Sequence, residues 1–260
     1  YAQAAAVCEP APVTEELLAA IAPLPSYAAS GRRQFSPSAL QTYLHCPRMY
    51  YYQQVLRLPG LEESGDGAHL PAYVTGLIVH RALEIYNGDE RAALAAAVKQ
   101  YAPGCAAPEA AAMLHGYLGS DLYRNLPRQR QRELAFSYPA GDGLVISGII
   151  DFAGAMDEGL LLVDYKTGRP PEDGAIPLGY AYQLTLYKAA AEHIFRRPAV
   201  QVQLHYLQDL SVRSLPPERD YLADALALCR EISAKGQEAD FTCRLAACGH
   251  CQYNYLCKQK

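Results

Sequence analysis

The sequence predicts an α/β fold, an α/β/α core around a central mixed sheet with a helical annex ahead of it. Two neighbouring apolar runs, residues 145–151 and 160–166, have the length of strands, and they reach Asp151 and Asp164 near their ends. A third apolar run at 200–207 lies between helical patterns at 180–195 and 217–235, the alternation expected of helices packed on a sheet. Alanine-rich helical segments at 90–101 and 108–125 precede the strands. Half of the 260 residues are hydrophobic, enough for one substantial core with an annex.

Taken in order, residues 1–33 are rich in Ala and Pro with one short amphipathic helix at 14–22, and read as a linker or docking segment. Ser36-Pro37 is a helix start, serine as N-cap and proline in the first turn. That helix places Cys46 late in its run, beside Tyr50, Tyr51 and Tyr52, a cluster that reads as buried packing before it reads as base stacking. Residues 61–71, rich in Gly and acids, read as a loop. The next helix carries His80 and Glu84 one turn apart on one face. The annex spans about 72–127, the α/β core about 130–235 with its first strands from about Glu133, and 167–179 is the long loop near the paired acids.

Strand side chains alternate, so Asp164 and Lys166 project to one side while Tyr165 points away, and a neighbouring strand brings Asp151 alongside. An Asp-x-Lys also occurs on solvated sheet edges. Here it closes the run Leu160 to Val163, which reads as buried on both faces, and charges in such a place are costly without a partner such as a metal. Two carboxylates and a cation are what phosphodiester hydrolysis needs, the acids to hold Mg²⁺ and the cation to orient or deprotonate water.

Four pieces in order, Gly76-Leu77-Ile78-Val79-His80, Gly148-Ile149-Ile150-Asp151, Asp164-Tyr165-Lys166-Thr167-Gly168, and Tyr180-Ala181-Tyr182-Gln183-Leu184 followed by Tyr187, make the chain resemble the PD-(D/E)xK nucleases of the RecB-like branch. The leading Pro-Asp of that signature is not literal here; Gly148 to Asp151 stands in its place. The resemblance implies a restriction-endonuclease-like core and a Mg²⁺- or Mn²⁺-dependent DNA nuclease, an exonuclease of repair or recombination working with a helicase domain or subunit. It implies His80, Asp151, Asp164 and the Tyr165 carbonyl as metal ligands. Lys166 is then the water-activating or charge-stabilising group, its pKa lowered by metal and partial burial, and Gln183 and Tyr187 meet Lys166 or the substrate backbone from one helix face. Glu133 is an additional acid.

Cys248-x2-Cys251-x5-Cys257 and the distant Cys46 can fill four ligand positions. The resemblance implies a [4Fe-4S] cluster that ties the two chain ends together; four-thiolate zinc and a disulfide pair are the other readings. Cys8, Cys105, Cys229 and Cys243 fall outside the pattern and read as ordinary thiols, with Cys243 held back because it is near the triplet. A net charge of −4 excludes a uniformly basic DNA-coating surface, so backbone contact must come from a local patch. The run containing Arg124, Arg128, Arg130 and Arg132 is the first choice and Arg32-Arg33 the second. No apolar run nears the roughly 20 residues of a membrane span, and no signal-like segment is present, so a cytoplasmic protein is expected. A start on Tyr1 suggests a fragment of a longer, helicase-linked polypeptide; a freestanding CRISPR-associated exonuclease, a silent DNA-binding module and an iron-sulfur redox protein are the rivals.

Overall fold

The computed structural model describes residues 33–60, 70–216, 219–235, 240–244, 246, 248 and 251–257. The helix expected at 14–22, most of the loop expected at 61–71, and Pro217 lie outside the described residues.

The chain runs β1 (Gln34–Phe35), α1 (Pro37–His45), α2 (Pro47–Tyr50) with a π-helical turn (Tyr51–Val55), α3 (Ala72–Ile85), α4 (Glu90–Tyr101), α5 (Pro108–Leu118) and α6 (Asp121–Arg124). Then follow β2 (Arg130–Gly141), β3 (Leu144–Ala155), β4 (Leu160–Lys166), α7 (Leu178–Phe195), β5 (Ala199–Tyr206), β6 (Ser211–Ser214) and α8 (Tyr221–Ala234). The strands form one mixed sheet in the order β1-β3-β4-β5-β6, with β2 beside β3. β1 pairs parallel to β3 and β4 parallel to β5, while β2, β4 and β6 run antiparallel to β3, β3 and β5.

Helices cover both faces. On one, Leu160, Leu162 and Leu204 pack with Leu40, Leu184, Leu186 and Ile232, from α1, α7 and α8. On the other, Leu161, Val163, Tyr165 and Phe152 pack with Ile78, Val79, Ala97, Leu114 and Tyr117. The annex is therefore one of the two helical layers, and β4 is buried on both sides as its unbroken apolar run requires.

Local chemistry sets the helix ends. The Ser36 side chain accepts from Ala39 N at 3.1 Å and starts α1 as expected. Cys46, expected inside a helix, instead caps α1 in an extended conformation (φ −155°, ψ 115°), because a residue before proline is driven out of the α region. The single helix expected at 108–125 is two, broken at Gly119 where Ser120 caps a new turn by accepting from Tyr123 N. The last helix starts at Tyr221 behind Asp220, whose side chain accepts from Ala223 N. β1 and β6, two and four residues long, have too few residues to show a period in sequence. Gly159 ends the β3–β4 connection against the Pro198 carbonyl, which a Cβ there would approach to 2.3 Å. No helix among the described residues is long and apolar enough to cross a membrane.

Candidate active site and a thiol group

β3 and β4 pair only as far as Phe152 opposite Val163 and then splay. Past that point the Asp151 carboxylate bridges the gap, accepting from the Tyr165 backbone N–H at 2.8 Å. On the other side of β3 the ladder with β2 skips one residue, Glu133, which sits at φ 46° between paired Arg132 and Leu134. A left-handed conformation is strained for a residue with a Cβ, about 1–3 kcal/mol, and here it accompanies the placing of a carboxylate next to Asp151.

α3 delivers the third group. Gly76 lets this helix close on the end of β4, since a Cβ there would stand 3.3 Å from Thr167 Oγ1. One turn later His80 lies between the acids and the strand: Nε2 is 3.1 Å from the Tyr165 carbonyl, Nδ1 3.5 Å from Asp151 Oδ2 and 3.9 Å from Glu133 Oε1. His80, Glu133 and Asp151 thus offer ligand atoms all within 4.8 Å of one another.

The opposite face of β4 holds the rest. Lys166 Nζ is 2.6 Å from Asp164 Oδ2 and donates to Gln183 Oε1 at 3.1 Å. Gln183 is held in turn, accepting from Gln41 Nε2 and donating to the Tyr187 hydroxyl, both at 2.9 Å. The Tyr180 ring lies 4.3 Å from the ammonium. Asp164 Oδ2 is buried in its ion pair with Lys166. The His80-Glu133-Asp151 group, three ligand atoms converging at low dielectric, is a place that a divalent cation fits.

The charges point the same way. Burial pushes Glu133 up to about 7, with the Asp151 charge adding to it. Burial likewise raises Asp164 to about 6, against the pull of Lys166. Burial alone would lower His80, but the charge and hydrogen bond of Asp151, with Asp164 and Glu133, outweigh it and hold the imidazole up at about 9. For Lys166 burial is again outweighed, by Asp164, so its pKa is raised in the absence of the metal on which the expected lowering depends. In the metal-free site the protons do part of the work of a cation, neutralising acids crowded at low dielectric.

The sequence-expected residues are thus distributed. His80, Asp151 and the Tyr165 carbonyl share one cluster with Glu133; Asp164, Lys166, Gln183 and Tyr187 form a chain beside it. Gln41 and Tyr180 were not anticipated. Tyr180 was legible as the residue one helical turn before Gln183, whereas Gln41 meets Gln183 only through the packing of α1 on α7. The arginine run is mostly engaged in the fold. Arg132 donates to the Glu84 and Tyr86 carbonyls, closing the end of α3, and Arg130 stacks on Tyr123 and Phe152. Arg124 pairs with Asp121, and both it and Arg128 are exposed.

At the chain ends, Tyr50 stacks on Phe241 with ring centroids 6.0 Å apart, and Tyr52 packs on Tyr253. The three clustered tyrosines are buried, as their packing reading expected. This aromatic seam brings thiols together. Arg244 N is 3.5 Å from Cys46 Sγ, and Cys243 Sγ is 3.3 Å from Cys248 Sγ. Cys251 and Cys257 bracket a pair of turns whose N–H groups bond back to Cys248, Cys251 and Tyr253 carbonyls. A hydrogen bond with Cys243, then burial, pushes the Cys248 thiol up to about 11. An all-sulfur donor set is the kind that iron-sulfur or zinc takes, although among the described residues no three of these thiols converge as His80, Glu133 and Asp151 do.

A family model described as the PD-(D/E)XK nuclease superfamily matches residues 34–258. A stretch of 95 residues is 39% identical to one subunit of the ATP-dependent helicase/nuclease of Moorella thermoacetica, covering 30% of this chain and 6% of that protein. The chain therefore spans a small fraction of this curated relative. A candidate exonuclease of known structure from Eubacterium rectale superposes with a TM-score of 0.56 over 96% of both chains at 11% identity, a likeness of fold.

Proposed function

Because this chain belongs to the PD-(D/E)XK nuclease superfamily, we propose that it is a divalent-metal-dependent deoxyribonuclease that degrades DNA from an end, joined to a helicase in repair or recombination. One observation carries the reading: His80, Glu133 and Asp151 converge within the reach of one ion, with Asp164 and Lys166 immediately beside them. Action from an end rests on the description of the Eubacterium rectale neighbour, and the helicase link on the name of the Moorella relative.

His80, Glu133, Asp151, Asp164 and the Tyr165 carbonyl would hold the metal, Mg²⁺ or Mn²⁺. When bound, it supplies positive charge against the scissile phosphate and lowers the pKa of water. Asp151 ties the splayed strands together by accepting from Tyr165 N–H, whose own carbonyl lies 3.1 Å from His80 Nε2. Lys166 stays a cation because Asp164 raises its pKa, which favours charge stabilisation and water orientation over proton abstraction. Gln183, clamped by Gln41 and Tyr187, fixes the ammonium, and the Tyr180 ring restricts its approach. Exposed Arg124 and Arg128 remain for phosphate contact along the backbone.

Cys46, Cys248, Cys251 and Cys257 would hold a [4Fe-4S] cluster, with zinc as the alternative, closing the chain ends over the aromatic seam as a staple. The test of the nuclease is cleavage of end-labelled single- and double-stranded DNA with Mg²⁺ or Mn²⁺, beside a Lys166→Ala protein. Metal-dependent cutting that the substitution abolishes supports the reading. A wild-type chain that binds the metal and leaves every substrate intact sinks it.

A further inference from the structure

A fifth thiol, Cys243, adjoins the four, its sulfur 3.3 Å from that of Cys248, and it is held in place from both sides. Phe241, two residues before Cys243, is fully buried, stacked on Tyr50 and edge-on to Tyr43, and its carbonyl accepts from Arg48 Nε at 2.8 Å. Arg244, one residue after, donates through its guanidinium to the Leu44 carbonyl and through its backbone N–H to Cys46 Sγ. Cys243 is therefore held between two anchors to the α1–α2 junction, the same junction that carries Cys46. Cys248 is half-buried; its sulfur lies against that of Cys243 and near the Arg244 carbonyl, and its own carbonyl accepts from Cys251 N–H.

The spacing matters. At 3.3 Å the Cys243 and Cys248 sulfurs are in contact, so a metal in bonding reach of one needs only a small shift to reach the other. Cys243 also exchanges a hydrogen bond with Cys257, so it adjoins two of the four thiols already assigned to the centre. Five sulfur donors for four positions leave one thiol in contact with the site and unused.

We propose that Cys243 is an exchangeable ligand of the thiol metal centre, able to take the position of Cys248 without rearrangement of the chain. Binding by either residue forms one metal–sulfur bond and releases the thiol proton to water. The centre then tolerates the loss of one of the pair and not of both. The proposal rests on the reading that these thiols bind metal at all, and the experiment separates the two.

Iron, sulfide and zinc per chain are measured after reconstitution in wild type, Cys243→Ser, Cys248→Ser and the double variant, with absorption spectra and far-UV circular dichroism. Each single variant is expected to hold metal near the wild-type level, with a changed absorption spectrum for Cys248→Ser, and the double variant is expected to be empty. A Cys248→Ser protein that folds and is empty overturns the exchange, as does a double variant that loads like wild type. Should the variants fail to fold, loaded wild type treated with iodoacetamide decides. Metal retained after one of the pair is alkylated supports the proposal, and metal lost on alkylation of Cys248 alone, with Cys243 unlabelled, refutes it. A wild-type chain that takes up no metal overturns the metal centre itself, and the exchange with it.

Discussion

Raising the pH from about 7 to about 9 is expected to tighten Mn²⁺ binding, because the metal must displace protons that the crowded site holds. With His80 at about 9, only about one imidazole in a hundred is free to bind at about pH 7 and about half at pH 9, a rise of about 50-fold. Glu133, at about 7, contributes about a further twofold over the same range. The His80 side chain is 31% exposed, and solvent screening reduces its share. Calorimetric titration of Mn²⁺ at a series of pH values, in wild type and in His80→Gln, reads the effect directly. The variant should keep only the shallow dependence from Glu133. An affinity that is flat over this range, or a slope undiminished by His80→Gln, would refute the assignment of His80 as a ligand. Stability carries the same signature with opposite sign. Both pKa values are raised on folding, so their stabilisation of the metal-free protein is full below the unfolded values and is lost as pH rises through about 7 for Glu133 and about 9 for His80. The melting temperature of metal-free protein should fall across that window, and Mn²⁺ should restore it most strongly at its alkaline end.

Lys166→Ala should lower single-turnover cleavage by about 10²–10³-fold with metal binding by calorimetry retained or tightened, since the ammonium is no ligand and its loss frees the Asp164 carboxylate. Arg196 closes α7 at φ 53° with an exposed side chain, so Arg196→Gly should stabilise by about 0.5–1 kcal/mol in urea melts, the left-handed strain removed less the entropy of glycine. Phe241→Ala empties a fully buried site between Tyr43, Tyr50 and Tyr51 and should cost about 3–5 kcal/mol by the same melts; unchanged stability would show that the aromatic seam is not structural.

The sheet and its reactive strand were legible because two-residue alternation is a local property. It put Asp164 and Lys166 on one face, where they stand 2.6 Å apart, and Tyr165 on the other, against the annex. The proline after Cys46 was an equally local signal, and reading it would have placed that thiol at a helix boundary. Other features had no such signal. The arginine run looked free because sequence does not show that Arg132 reaches the end of α3, 46 residues away, or that Arg130 stacks on Phe152. Cys243 was set aside by its spacing, yet the burial of Phe241 brings it against Cys248.

By itself, then, the sequence determined the central strands and the order of the acids and lysine along them, since each follows from the periodicity or spacing of near neighbours. Only the tertiary structure decided which acids share an ion's space and which protons they keep. The left-handed turn at Glu133 and the burial of Lys166 beside Asp164 are outcomes of long-range packing, and burial sets the cost of charge that raises these pKa values.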